Sequence, residues 1–233
     1  MEVKLISHTP EPERICAAAA MTSSRKEDTA GIYESLSNPE KMEKARKLLK
    51  AVIRMGHTSV MEHASFTFSI SGVSRAMTHE LVRHRIASYT QQSQRYVKFE
   101  ESSFVTPQKI KEKSEAKEKF DSALASIMRT YGELVEMGIP FEDARFILPN
   151  AAHTSIVVTM NARELCHFFR LRTCERAQWE IREAATEMLR RCRKTAPALF
   201  SDVGPSCYID GRCPEGKLTC GRMEEIVQKF RGL

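Results

Sequence analysis

The sequence predicts a chain of mixed α/β class, on three observations. Ala64 to Ile70 alternates apolar side chains with Ser65, Thr67 and Ser69, the period of a strand with one face on a core. Ile156-Val157-Val158-Thr159-Met160 is rich in β-branched and apolar residues, as a buried strand is. Pro39 to Met55 and Glu175 to Ala196 instead carry apolar stripes at helical spacing.

The remaining elements follow in chain order. Val3-Lys4-Leu5-Ile6 reads as a short strand. The helix from Pro39 carries Met42, Ala45, Leu48, Leu49, Val52 and Met55 on its stripe, and Gly56 stops it. After the first convincing strand, Val73 to Arg83 returns to helical spacing, with Val73, Met77 and Leu81 on one side. Lys109 to Met137 predicts a long helical region, broken by Gly138-Ile139-Pro140 ahead of a short segment, Phe141 to Leu148. Asn161 and Glu164 have capping-box spacing and open a helix after the second strand. Ala177, Ile181, Ala184, Met188 and Cys192 form the stripe of the last helix. Beyond Pro197, glycines and prolines crowd together with Cys207, Cys213 and Cys220. Residues 1–200 are therefore expected as one domain and 201–233 as an irregular appendage.

Composition narrows the class further. With 233 residues and 42% hydrophobic content the chain has enough apolar mass for a sizeable core, which excludes disordered and collagen-like classes. No apolar run approaches the roughly 18 residues of a membrane span, and Met1 to Pro10 lacks an export signal, so a cytoplasmic protein without membrane contact is expected. Seven cysteines without an export signal read as reduced thiols. The net charge of +6 favours anionic partners.

Three clusters carry potential chemistry. Arg83 to Arg95 contains three arginines, one histidine, two serines, three glutamines and no acid. Guanidinium forks pair with phosphate oxygens, and the intervening Ser, Tyr and Thr favour a loop over one regular helix. A solvated basic surface is the plainer alternative. Between Asn161 and Arg172, helical spacing puts Arg163, His167 and Arg170 on one face, beside apolar Leu165, Phe168 and Phe169. That face suits a flat ligand with phosphates, although Asn161 also serves as a plain cap and His167 as a surface histidine. Gly56 to His63 holds two histidines and a carboxylate, but its spacing differs from paired metal-ligand motifs, so no metal is expected there. The tail cysteines are spaced more widely than the short paired steps of structural zinc sites, which favours structural thiols. Glycine-rich dinucleotide and phosphate loops are absent.

In their order, these pieces resemble the flavin-dependent thymidylate synthases. Arg83-His84-Arg85, seven residues, then Ser93 is similar to that family's signature. Around it stand Gly56-His57-Thr58-Ser59 with Glu62-His63, Thr78 to Val82, Gln94-Arg95-Tyr96, Ala144-Arg145, Leu148-Pro149, Asn161-Ala162-Arg163, and Arg172 with Ala177 to Glu180. The resemblance spans about residues 56–182. It implies an α+β fold whose mostly antiparallel central sheet is flanked by helices, in a homotetramer with active sites at subunit interfaces. It also implies a methyltransferase that makes dTMP from dUMP, with 5,10-methylenetetrahydrofolate as carbon donor, FAD as hydride carrier and NADPH as reductant.

By the same resemblance, Ser59, Arg83, His84, Arg85, Gln91, Asn161, Arg163 and His167 would contact FAD. Glu80, Arg83, Gln91, Gln92, Ser93, Gln94, Arg95, Arg145 and Arg172 would contact dUMP, and His57 and His84 lie where flavin or folate is handled. Arg172 is the catalytic candidate, because a buried guanidinium aimed at uracil N3 and O4 would stabilise the charge that activates C5. Ser93 is expected to bind ligand rather than attack it. Glu80, Gln91 and Arg176 depart from the family pattern; Glu80 would repel a phosphate, so a base or an arginine is its expected partner.

Two other classes make different predictions. A nucleic-acid module using Arg83, Arg85 and Arg95 would bind with strong salt dependence and hold no chromophore, but aromatic content is only 7% and no stacking rings interleave its basic residues. A cysteine and histidine metalloprotein would retain stoichiometric zinc. Small anionic ligands, with no nucleic acid, are the expectation carried forward.

Overall fold

The structure is a computed structural model and describes residues 1–99 and 104–233. Four strands, β1 (Glu2–His8), β2 (Ser65–Ser74), β3 (Ala87–Gln91) and β4 (His153–Asn161), form one sheet in the order β1-β2-β4-β3. The register is antiparallel where Thr9 N donates to Ser65 O at 2.9 Å, where the hydroxyls of Thr67 and Thr159 meet at 2.9 Å, and where Arg75 N donates to Ala152 O at 3.0 Å. The helices are α1 (Pro12–Thr22), α2 (Thr29–Ser35), α3 (Pro39–Arg54), α4 (Arg75–Leu81), α5 (Gln108–Lys111), α6 (Ser114–Glu136), α7 (Phe141–Ala144), α8 (Ala162–Arg172), α9 (Trp179–Thr195), α10 (Pro197–Phe200), α11 (Ser206–Asp210) and α12 (Met223–Arg231). None is long and apolar enough to cross a membrane.

Local chemistry sets the boundaries. Asn38 caps α3 by accepting from the amides of Glu40 and Lys41, Pro39 opens it, and Gly56 follows it at φ 92°, a conformation that favours glycine. Ser74 caps α4 and Asn161 caps α8, each side-chain oxygen accepting a backbone N–H; such a cap contributes about 1 kcal/mol.

The structure corrects several expectations. Val73 belongs to β2, because the helix starts only after the Ser74 cap. The region after Lys109 is two helices, α5 and α6, separated at Glu112 and Lys113. Ala87 to Gln91 is strand β3 rather than loop; its exposure alternates along the chain, and its serine, tyrosine and threonine fit a half-buried pleat. The segment after Pro197 is not irregular: α10, α11 and α12 bury Phe200, Cys207, Ile226 and Phe230. Arg193 fixes it, donating to the carbonyls of Phe200, Val203 and Phe230 at 3.2, 2.7 and 2.6 Å.

The chain divides into two compact units. The first comprises residues 1–2, 70–83 and 89–157; the second comprises 3–69, 84–88 and 158–233. In the first, Met128, Tyr131 and Ala144 pack with Phe99, Phe104, Leu134 and Ile147. In the second, Phe66 meets Phe200 edge to face at 5.3 Å, and Phe168, Phe169, Ile181 and Met188 are fully buried.

Candidate active site

In the first unit, Gln91 to Arg95, among the residues expected to hold dUMP, gather around the end of β3; Arg172 belongs to the second unit. Gln91 donates through Nε2 to Thr78 Oγ1 at 2.9 Å and to Thr154 Oγ1 at 3.3 Å. Gln92 N is paired with Ser155 O at 2.9 Å. Ser93 Oγ accepts from the amide of Arg95 at 3.1 Å, which tightens the turn after the strand. The Arg95 guanidinium is exposed and pairs with Glu142 at 2.8 Å, while Arg145 Nε donates to Glu142 O at 3.1 Å.

A residue missed in the sequence completes this group. Arg75 lines a cavity of about 210 Å³ together with Gln92, Ser93, Gln94, His153 and Thr154. Its Nη2 donates to Gln92 O at 2.9 Å, but its buried Nε has no hydrogen-bond partner among the described residues. Burial, and then the Arg145 charge, lower its pKa from the ordinary guanidinium value. Two guanidiniums close enough to repel each other, one with an unanswered buried donor, are groups whose charge and donor an anion can satisfy. One signal was available in the sequence: a basic residue in the first turn of a helix opposes the macrodipole, so its placement there calls for another reason.

In the second unit, His84 is buried and held from both sides. Its Nδ1 lies 3.0 Å from Glu164 Oε1, and its Nε2 accepts from Arg172 Nε at 3.1 Å. An acceptor Nε2 requires the neutral ring's proton on Nδ1, where it donates to the carboxylate. Phe168 packs its edge against the imidazole at 4.9 Å between ring centroids. Burial is the main cause that lowers the His84 pKa from 6.5; Arg172 adds to it, against the opposing pull of Glu164. The local sequence produces this arrangement. Glu164 is the third helical residue after the Asn161 cap, and Arg172 stands two turns further along α8, so one helix presents both partners. Arg172 is half-buried rather than fully buried.

His84, Glu164 and His167 offer ligand atoms within 4.8 Å of one another. The guanidinium on His84 Nε2 opposes a cation there, so Glu164, His84 and Arg172 read as a hydrogen-bonded chain. Glu164 appeared in the sequence only as a cap residue; its role as the histidine's partner was missed because the two are far apart along the chain.

Arg163, His167 and Arg170 share the α8 face as expected, and they line a cavity of about 550 Å³ with Lys50, Arg54, Met61, Leu199 and Val203. Basic groups beside apolar surface suit a ring system that carries phosphates. Arg163 pairs with Glu62, and Asn161 spends its side-chain oxygen on the α8 cap. Ser59, Arg83 and Arg85 are exposed, as are His57 and His63, which form no metal cluster among the described residues. Glu80 is half-buried on α4, within the first unit.

Comparison with known proteins defines the class first. The family described as "Thymidylate synthase complementing protein" matches residues 4–198. Curated relatives make the assignment specific. A flavin-dependent thymidylate synthase of Geobacter sulfurreducens is 50% identical over 99% of this chain and 98% of its own; that of Pyrococcus horikoshii is 47% identical over 99% and 100%. The Clostridium tetani enzyme is 42% identical over 99% and 97%. The chain belongs to the flavin-dependent thymidylate synthase family. In fold it is similar to the crystal structure of a UMP/dUMP methylase, PolB, from Streptomyces cacaoi, with TM-score 0.72 and 24% identity over 85% of this chain and 92% of that one.

Proposed function

We propose that this chain methylates dUMP reductively to dTMP, taking carbon from 5,10-methylenetetrahydrofolate and reducing equivalents from NADPH through FAD. The observation that carries the reading is the unanswered Arg75 Nε in a cavity bounded by Gln92, Ser93 and Gln94, with Arg145 near enough to repel it. A nucleotide phosphate would satisfy that donor and relieve the repulsion. Ser93 and the amides after β3 supply further donors, and Arg95 supplies a second fork once it leaves Glu142.

Bound FAD supplies the hydride chemistry. The chain's own residues bind and orient. Arg163, His167 and Arg170 offer charge to flavin phosphates, while Met61, Leu199 and Val203 offer apolar surface. Glu164 holds His84, and His84 accepts from Arg172, so the plane of the guanidinium is set before any ligand arrives. Directed at uracil N3 and O4, that guanidinium stabilises charge as C5 becomes nucleophilic. Active sites completed by further copies of the chain are part of this reading; Phe146 and Tyr96, 83% and 77% exposed, supply apolar surface for such assembly.

The test is formation of dTMP by the purified full-length chain supplied with FAD, dUMP, methylenetetrahydrofolate and NADPH. Product that appears only when all four are present supports the reading. A flavin-loaded protein that oxidises NADPH but never yields dTMP overturns it.

A further inference from the structure

Four of the seven cysteines meet in a region that the flavin and nucleotide reading leaves unused. Cys174, just beyond α8, and Cys207, Cys213 and Cys220 of the C-terminal segment line one cavity of about 80 Å³. All four are free thiols. Three of them lie beyond residue 198, where the family match ends. The sequence hid the set because its first member stands 33 positions ahead of the second, and the other steps are longer than the paired spacings of common zinc motifs.

The backbone amides of Arg176 and Tyr208 favour the ionised forms of Cys174 and Cys207, the influence that amides exert on thiolate ligands. Arg176 lines the same cavity, where a cationic group offsets an excess of thiolate charge. Gly216 and Gly221 hold positive φ, at 53° and 73°, and reverse the chain on either side of Cys220. The thiols also sense one another: burial first, then Glu215, Cys220 and Cys213, raise the Cys174 pKa, and Cys174 and Cys213 add to burial in raising that of Cys207. No three of these sulfurs lie within 4.8 Å of one another, which is wider than the roughly 3.8 Å around a single tetrahedral ion and suits a cluster.

We propose that Cys174, Cys207, Cys213 and Cys220 hold an iron–sulfur cluster that ties the C-terminal segment to the end of α8. The inference stands apart from the proposed function, since none of the four thiols contributes to the flavin or nucleotide residues.

The test is metal analysis of the full-length protein, purified anaerobically from cells supplied with zinc and iron. About four irons with matching acid-labile sulfide are expected per chain; zinc in place of iron would overturn the cluster. The double variant C213S/C220S should retain less than a tenth of that metal with its flavin content unchanged, whereas C16A should keep both. Alkylation keeps the proposal testable if the variant fails to fold: in native protein Cys213 and Cys220 should resist iodoacetamide until a chelator is added. Iron below a tenth of an equivalent in iron–sulfur-reconstituted protein overturns the proposal, as does labelling unaffected by the chelator.

Discussion

The two units place their assigned ligand residues in opposite electrostatic conditions. In the first, Arg75 and Arg145 repel each other, and a buried donor is unanswered. In the second, each partner of His84 is matched, with carboxylate on one nitrogen and guanidinium on the other. The division also sorts the expected residues: Glu80, Arg83, Gln91 to Arg95 and Arg145 fall in the first unit, while Ser59, His84, Arg85, Asn161, Arg163, His167 and Arg172 fall in the second. One of the boundaries between the two units falls between Arg83 and His84. A site that is to receive a mobile anion is best left unsatisfied, whereas one that must present fixed groups is best satisfied beforehand.

Substitutions in the two units should therefore fail differently. The largest effect is expected for Arg172→Ala, which should lower kcat about 10²–10³-fold while bound flavin stays near the wild-type amount. Steady-state rates and the visible spectrum check this, and an unchanged kcat would remove Arg172 from the chemistry. Arg75→Met should weaken dUMP binding about tenfold, roughly 1.4 kcal/mol. It should leave stability in urea unchanged or higher, because it deletes an unanswered buried donor and a like-charge contact. Calorimetric titration beside a denaturation curve separates these outcomes; loss of stability with dUMP affinity intact would make Arg75 a structural residue. Ser93→Ala should cost only about threefold in dUMP affinity with activity retained, the scale of one modest hydrogen bond. Abolished turnover at normal affinity would give the hydroxyl a covalent role.

The smallest expected effect concerns pH. The folded-state pKa of His84 lies below its unfolded value of 6.5, so below that value the unfolded chain binds the extra proton more readily. The contribution of the neutral ring is complete above pH 6.5 and is lost as the pH falls from there toward the folded-state pKa. Melting temperatures across that window should drop more steeply for the wild type than for His84→Asn; parallel curves would show that the ring does not titrate against folding.

How far the sequence discloses this molecule depends on distance along the chain. The strands around Phe66 and Val158 and the capped start of α8 are legible, since period and capping act over a few residues. The Glu164 partnership with His84 spans 80 positions and leaves no local trace. In sequence, Arg75 resembles any surface charge beside a cap, and only its burial distinguishes it. The C-terminal segment reads as irregular chain because its glycines and prolines outweigh the short stripe that buries Ile226 and Phe230. The resemblance pointed to the correct family, but neither it nor the spacing placed Cys174 beside the tail thiols.

The clamp on His84 also limits what that side chain can do. A ring whose nitrogens are both engaged relays orientation well, yet it cannot ferry hydrogen from one face to the other without letting go of a neighbour. The imidazole at the heart of the signature thus behaves as a rigid strut between a helix's first turn and its last.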